Sequence, residues 1–526
     1  MINVNKVVIV GGGSAGWMTA AYLIKTFPNK QIVVLESPDI PIVGVGESTL
    51  ASITEFRDYL GIDEKDFMQK TNASYKMSIK FTDFYSENGG SFHYPFGKPN
   101  FEKTASGFDD WFQIKHTYPD TPLTDFVQSY FPSSFLFENN KFATNESGVY
   151  SPYNKKTDVA YHFDATMFGL WLKESYCIPR GVSYIEGTVV DAITSKNGIE
   201  ALKLNNNSEV HADLFIDCTG FKSILLGGFL KEEFISYEDL LPNNSAWACQ
   251  VPYKEKEKEL EPFTHCTALK NGWCWNIPLW SRLGTGYVFS NKYISSDEAL
   301  EEFKSYLMSK KMIVPRTKEE VESFDYRLIK MRVGIHKRTW VKNVVAIGLS
   351  AGFIEPLESN GLFTVTNFVS KLAKTLLRED VSKFDIDVYN IAVYGVFRKF
   401  AEFVAMHYAL SHRDDSLYWQ NINSKTFSKE LESYIASPVV GFQDLQDRKM
   451  FSNFLDPSAG ITYVSVGMGY LVFDSVDIDM LRRGDSIKAF VDEQREMFNS
   501  KKTIWRQASQ HAPTLMQYLE KNIYGV

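Results

Sequence analysis

Gly11-Gly12-Gly13-Ser14-Ala15-Gly16 has the spacing GxGxxG, and Glu36 lies twenty residues beyond it. That set suits the pyrophosphate of a dinucleotide. Gly11 permits a tight turn, Gly13 lets backbone approach the phosphates, and Gly16 lets a helix pack closely on the preceding strand. The phosphates rest on helix N–H groups, among which Ser14 and Ala15 are candidates, and Glu36 accepts from ribose hydroxyls. An acidic residue at 36 disfavours the 2′-phosphate of NADP, which leaves FAD or NAD. Three further small-residue turns favour the longer FAD, which needs several backbone approaches. They are GVGEST at 44–49, containing Gly46, Glu47 and Ser48, IDCTG at 216–220, and NVVAIGLSAG at 343–352, containing Gly348.

A second pattern competes with this one. Gly348-Leu349-Ser350-Ala351-Gly352 is GxSxG after an apolar run, the pattern of a hydrolase nucleophile elbow, with His412 or His511 as the base. An elbow runs directly into a helix. Here FIEPLE follows and Pro356 interrupts, and the elbow gives the N-terminal glycines no role.

The elements that must position these residues follow from apolar periodicity. KVVIV at 6–10 predicts a buried parallel strand, 14–27 a helix and QIVVLE at 31–36 a second strand, which is a βαβ opening. Mixed strands are expected over 183–217, a buried strand at 343–348, and helices over 361–378 and 386–410. The stretch 80–160, rich in Gly, Pro, Ser, Asn and aromatics, reads as long loops and short strands. In SYKMSIKFTDF the apolar Tyr75, Met77, Ile79 and Phe81 alternate with Lys76, Ser78, Lys80 and Thr82, so the pattern alone makes Lys76 a solvated strand lysine.

Composition narrows the class. The chain has 526 residues and a net charge of −8, which argues against a nucleic-acid partner. No apolar run is long enough to span a bilayer, and the N-terminus enters a strand at once, so a cytoplasmic location is expected. Five scattered cysteines form no CxxC pair, no HExxH occurs, and no metal site is expected.

Residues 273–278 read Trp273-Cys274-Trp275-Asn276-Ile277-Pro278, or WxWxIP. Periodicity makes this a strand with both tryptophans on one face. WxWxIP downstream of GxGxxG also resembles the flavin-dependent tryptophan halogenases and their relatives. So do GWM at 16–18, NASYKMSIKF at 72–81, AYHFDA at 160–165, EPLESNG at 355–361 and DSLYW at 415–419. The likeness thins after about residue 425.

The resemblance implies an α/β fold. A Rossmann-like FAD-binding domain of the GR2-type flavoprotein monooxygenase kind would carry a mixed-sheet insertion and a mainly helical C-terminal substrate region. The FAD domain would comprise 1–80, 155–225 and 330–380, and the substrate region 81–154, 226–329 and 381–526. It also implies the reaction. Reduced FAD with oxygen and halide gives hypohalous acid, which Lys76 directs to an electron-rich aromatic ring, and Glu358 serves as the catalytic carboxylate. Ser359, Asn360 and Gly361 would bind halide at a helix start. Trp273, Trp275, Ile277 and Pro278 would part substrate from flavin. Phe92, His93, Tyr94 and Phe96 are the candidate substrate pocket. With one dinucleotide motif, reduced FAD must come from a separate NAD(P)H flavin reductase; a homo-oligomer is compatible with this reading.

Two departures qualify the resemblance. Asn360 stands where tryptophan halogenases commonly have Thr, which points to bromide or iodide over chloride. FHYPFG at 92–97 replaces their FYHSFG, and the tyrosine pair and glutamate that hold an amino acid are not found beyond residue 425. The expected substrate is therefore an indole or phenol rather than free tryptophan. The competing classes are a flavin monooxygenase or oxidoreductase without halogenation and a non-catalytic binding protein.

Overall fold

The computed structural model describes residues 3–39, 47–101, 108–144, 154–423, 457–470 and 485–525. The chain forms two compact units, each assembled from three separated segments: Met1–Ser74, Tyr161–Cys249 and Tyr326–Arg398 in the first, and Tyr75–Ala160, Gln250–Asp325 and Lys399–Val526 in the second.

The first unit is built on a six-stranded sheet. Its order is Trp340–Val341, Val344–Ala346, Leu214–Asp217, Lys6–Val10, Gln31–Glu36, Ser183–Glu186. All neighbours pair in parallel except the edge strand Trp340–Val341. Apolar runs such as VVIV suit a central strand covered on both faces, and Val7, Val8 and Ile9 are fully buried. The helix Ser14–Thr26 makes the first crossover. Its Tyr22 hydroxyl lies 3.2 Å from Ser370 Oγ on the helix Gly361–Leu376.

In the second unit, five strands run in the order Leu283–Phe289, Gly272–Pro278, Phe263–Leu269, Ser78–Thr82, Ser91–Pro95. Their register sorts side chains onto two faces. One row joins Trp275, Cys266, Phe81 and Phe92, and the rings of Phe81 and Phe92 stack at 5.2 Å. The opposite face carries Asn276, His265, Lys80 and His93 in one row. That face is covered in part: Asn276 and His265 are buried, Lys80 and His93 half-buried. Two polar pairs are matched on it: Ser78 Oγ lies 3.0 Å from His93 Nδ1, and Thr82 Oγ1 2.7 Å from His265 Nε2. Burial, then the charge of Lys80, pushes the His265 imidazole down to about 3, so it stays neutral.

The stretch 80–160 departs from the expected loops. Beside the strand Ser91–Pro95 it contains the helices Asp109–Thr117, Thr124–Tyr130, Ser134–Phe137 and Lys155–Asp158. Its aromatics drive this by packing ring to ring: Phe126 meets Phe108 at 5.2 Å, Trp111 at 5.0 Å and Tyr130 at 5.4 Å.

Candidate active site

The first unit holds a cavity of about 410 Å³ that reaches from Glu36 and Thr188 to Asn360 and Gly361. The glycine turn forms its wall. Gly11 has φ +113°, and a Cβ there would lie 2.3 Å from the Cys218 carbonyl oxygen. A Cβ on Gly16 would lie 1.9 Å from the Gly11 carbonyl oxygen, whereas at Gly13 it would meet nothing within 4 Å. The first two positions are therefore closed to any side chain, while the third faces open space where phosphate could approach. Glu36 ends its strand and pairs with Lys173 Nζ at 2.9 Å. Lys173 also lies 3.8 Å from the Tyr184 ring centroid. Nothing in the local sequence marked Lys173, which is far along the chain from Glu36.

Glu47 and Ser48 form a short strand paired antiparallel with Phe163 and His162. Gly46, named with them from the sequence, lies outside the described residues. Glu47 lines the cavity. Burial, then the charge of Asp164, raises its carboxyl to about 7. Gly348 also lines the cavity, against Ala15. Asp217 braces this floor: its carboxylate accepts from the backbone N–H of Leu225 and Leu226, each at 2.9 Å, and from Thr219 N–H at 3.0 Å. One continuous cavity, a glycine cradle and an acidic residue at one end fit an extended dinucleotide such as FAD.

At the other end of the cavity, EPLESNG folds as a 3₁₀ turn, Pro356–Glu358, followed by Ser359 at φ 58°. Glu358 is fully buried. Ser359 Oγ lies 2.9 Å from Ser48 Oγ, which joins the two loops. Asn360 precedes the helix Gly361–Leu376, but no side chain caps that helix. The Asn360 amide donates instead to the Glu355 carbonyl at 3.4 Å. Neither the Asn360 nor the Ser359 side chain caps the helix. Glu355 itself is buried and accepts from Asn243 Nδ2 at 2.9 Å.

Ser350 belongs to the same floor. Its hydroxyl donates to the Asp217 carbonyl at 2.6 Å, and the 3₁₀ turn Gly348–Ser350 leads into the short strand Gly352–Phe353 rather than a helix. A nucleophile tied to a backbone carbonyl, with no elbow helix behind it, removes the hydrolase reading.

The second unit holds the lysine and the tryptophans. Lys76 is fully buried, so the solvated lysine expected from strand alternation is not found; the face it belongs to is covered. Its Nζ lies 4.8 Å from the centroid of the Phe96 ring, a cation–π approach. The next residue fixes the strand there: Met77 N–H donates to the Pro262 carbonyl at 2.7 Å, and Phe96 N–H to the Met77 carbonyl at 2.9 Å. Trp273 and Trp275, with Ile277 and Pro278, lie on one buried strand, and the two indoles are 6.2 Å apart. The buried Trp275 Nε1–H has no acceptor among the described residues, an opening for a bound molecule.

Phe92 and Tyr94 share a face, and His93 turns to the other. There the His93 ring stacks on Phe137 at 4.6 Å, and burial, then Lys80 and His265, holds it well below the ordinary histidine range. Tyr94 meets Phe96 at 6.2 Å and Tyr463 at 5.8 Å. The helix Pro457–Gly467 sits against this wall through two glycines. A Cβ on Gly467 would lie 2.2 Å from the Phe92 ring, and one on Gly460 2.8 Å from Tyr94 Oη. Among the described residues, no group of three or more acidic, histidine or cysteine side chains could hold a metal. Nor is any described helix long and apolar enough to cross a membrane.

This is the fold of an FAD-binding α/β flavoenzyme. The family model described as tryptophan halogenase matches residues 6–510. The chain therefore belongs to the tryptophan halogenase family of flavin-dependent halogenases, and it is an FAD-dependent enzyme of that family. It is 36% identical over 441 residues to the 7-chloro-L-tryptophan 6-halogenase KtzR of Kutzneria sp. (strain 744), covering 80% of this chain and 82% of the relative. The apo structure of VirX1 superposes with a TM-score of 0.88 at 34% identity, covering 100% of both chains. The tryptophan 6-halogenase SttH of Streptomyces toxytricini does so with a TM-score of 0.84 at 31% identity, covering 98% of this chain and 99% of the other. The family uses an aromatic substrate and generally a separate flavin reductase.

Proposed function

We propose that this chain halogenates an electron-rich aromatic molecule, an indole or a phenol rather than free tryptophan, with bromide or iodide preferred over chloride. The flavin belongs to the interleaved segments around 1–80, 155–225 and 330–380, and the substrate to the rest. Gly11, Gly13, Ser14, Ala15, Gly16, Glu36, Gly46, Glu47, Ser48 and Gly348 hold FAD. Bound reduced FAD, with oxygen and halide, supplies hypohalous acid. Ser359 and the backbone N–H groups of Asn360 and Gly361 hold halide at the helix start.

The observation that carries this reading is the buried ammonium of Lys76 over the Phe96 ring. In a site that water does not reach, any hydrogen bond this ammonium gives to a ligand is stronger than it would be in water. By donating to hypohalous acid it polarises the halogen and fixes its direction. The Glu358 carboxylate takes the proton released as the substitution completes. Trp273, Trp275, Ile277 and Pro278 keep the aromatic from the flavin, so the ring meets halogen and is not hydroxylated. Phe96, Tyr94 and Phe92 favour a flat apolar ring; His93, turned to the opposite face, does not join them.

The test is mass spectrometry of indole and phenol panels with FAD, a flavin reductase and each halide, alone and in competition. A halogenated product with bromide or iodide outcompeting chloride is expected. Hydroxylated product without halogen supports a monooxygenase instead, and exclusive chlorination removes the halide preference.

A further inference from the structure

Lys173 sits behind Glu36, and three elements fix it there. It lies in the π-helical turn Leu172–Cys177, which continues the helix Ala165–Trp171. That helix is tied to the glycine turn: Ser14 Oγ donates to the Ala165 carbonyl at 2.8 Å, and a Cβ on Gly169 would lie 3.4 Å from Ser14 Cα. The rings of Trp17 and Tyr184 stack at 6.3 Å, and the Lys173 ammonium lies 5.6 Å from the first centroid and 3.8 Å from the second. Tyr184 is held in turn by its strand, which pairs in parallel with Gln31–Glu36. With the ammonium so placed, the two oxygens of Glu36 are divided. Oε2 accepts from Lys173 Nζ at 2.9 Å. Oε1 lies over the glycine turn, where a Cβ on Gly12 would come within 2.3 Å of it. Glu36 and Gly12 line the cavity, and Lys173 stands outside that lining. The lysine side chain is 19% exposed and the glutamate 17%, so salt screens this pair less than it would a surface bridge.

We infer, on the reading that this cavity holds FAD, that Lys173 is a positioning residue for the cofactor. It holds Oε2 of Glu36 and so aims Oε1 at a ribose hydroxyl of the adenosine half. Two effects combine. A glutamate without this partner turns among several rotamers, and binding must then order it; here the carboxylate is ordered beforehand. The ammonium also offsets the charge of Glu36, which would otherwise oppose the pyrophosphate held at the same glycine turn. The lysine does both from behind the carboxylate, at a distance of 137 positions along the chain.

Titration of the flavin-free full chain with FAD, read by flavin fluorescence, tests this in four proteins: wild type, Lys173→Met, Glu36→Gln and the double variant. Methionine keeps an apolar stem against Tyr184 and Trp17 and removes the charge. Lys173→Met should raise the FAD Kd about fivefold or more, the scale of coupling between residues in one network, with circular dichroism unchanged. In the Glu36→Gln background the same change should move the Kd by less than about twofold, because the group through which the lysine acts is gone. A purely structural lysine would weaken binding equally in both backgrounds. A Lys173→Met variant that binds FAD like wild type overturns the proposal. So does an equal loss in both backgrounds, which would put the lysine on the fold or on the phosphates. If wild type itself binds no FAD, the reading of the cavity fails and the positioning role with it. Should Lys173→Met not fold, Lys173→Gln decides. It keeps a donor for Glu36 without the charge and should raise the Kd about threefold; unchanged binding there overturns the role.

Discussion

Lys76 and Glu358 are fully buried, so replacing either changes a group that water does not reach in this structure. Lys76→Ala removes the ammonium proposed to direct the oxidant, a residue outside the lining of the proposed flavin cavity. Substrate halogenation should be lost, while hypohalous acid still forms and bleaches a halogen-trapping dye. Glu358→Gln keeps size and loses basicity; halogenation should slow by about 10²-fold or more, the scale of a lost general base, with FAD affinity retained. Full activity in either variant removes its assigned role. Glu47 makes a separate prediction from pH. Its carboxyl titrates near 4.5 when unfolded and about 7 when folded. Between those values the folded chain keeps a proton that the unfolded chain has released, so stability falls as pH rises through this window and stays lower above it. Without added flavin, Glu47→Gln should melt like wild type near pH 4.5 and several degrees higher above pH 7. A difference that does not grow with pH would contradict the assignment.

At the scale of elements, the glycine turn gives the sharpest case. A Cβ at position 16 would overlap the Gly11 carbonyl, and one at 11 would overlap the Cys218 carbonyl. Gly16→Val should therefore abolish FAD retention, read by flavin fluorescence, with secondary structure unchanged by circular dichroism. Retained flavin would separate this turn from the cofactor. These elements were legible because their signals are local. KVVIV is an apolar run bounded by a glycine turn, and QIVVLE ends on its acidic residue. The strand of Lys76 was legible as a strand but not as buried. Alternation tells which side chains are polar and is silent on what covers them; here Ser78 and Thr82 are answered by His93 and His265 from neighbouring strands. The helices within 80–160 were hidden for the same reason. Asp125 accepts from Trp111 Nε1 at 3.2 Å and holds Lys502 Nζ at 2.5 Å, a partner 377 positions away. No window of sequence contains that contact.

On the scale of the whole molecule, each unit is threaded from three stretches of chain. Composition shifts little between them, and no sequence linker separates them, so composition offers no division of the chain. Of the site, the cofactor turn could be argued from physical spacing alone. The lysine, glutamate and tryptophans required the resemblance, because a buried lysine and a buried carboxylate carry no periodic signature.

The two glycines that seat the Phe92 and Tyr94 rings bear on any redesign of the proposed substrate pocket. Trimming either ring to admit a bulkier guest would leave the opposing helix facing a hole rather than an enlarged chamber, since the space behind the ring is already filled by bare backbone. Libraries at position 94 are better varied jointly with position 460, so that whatever one side gives up the other can refill.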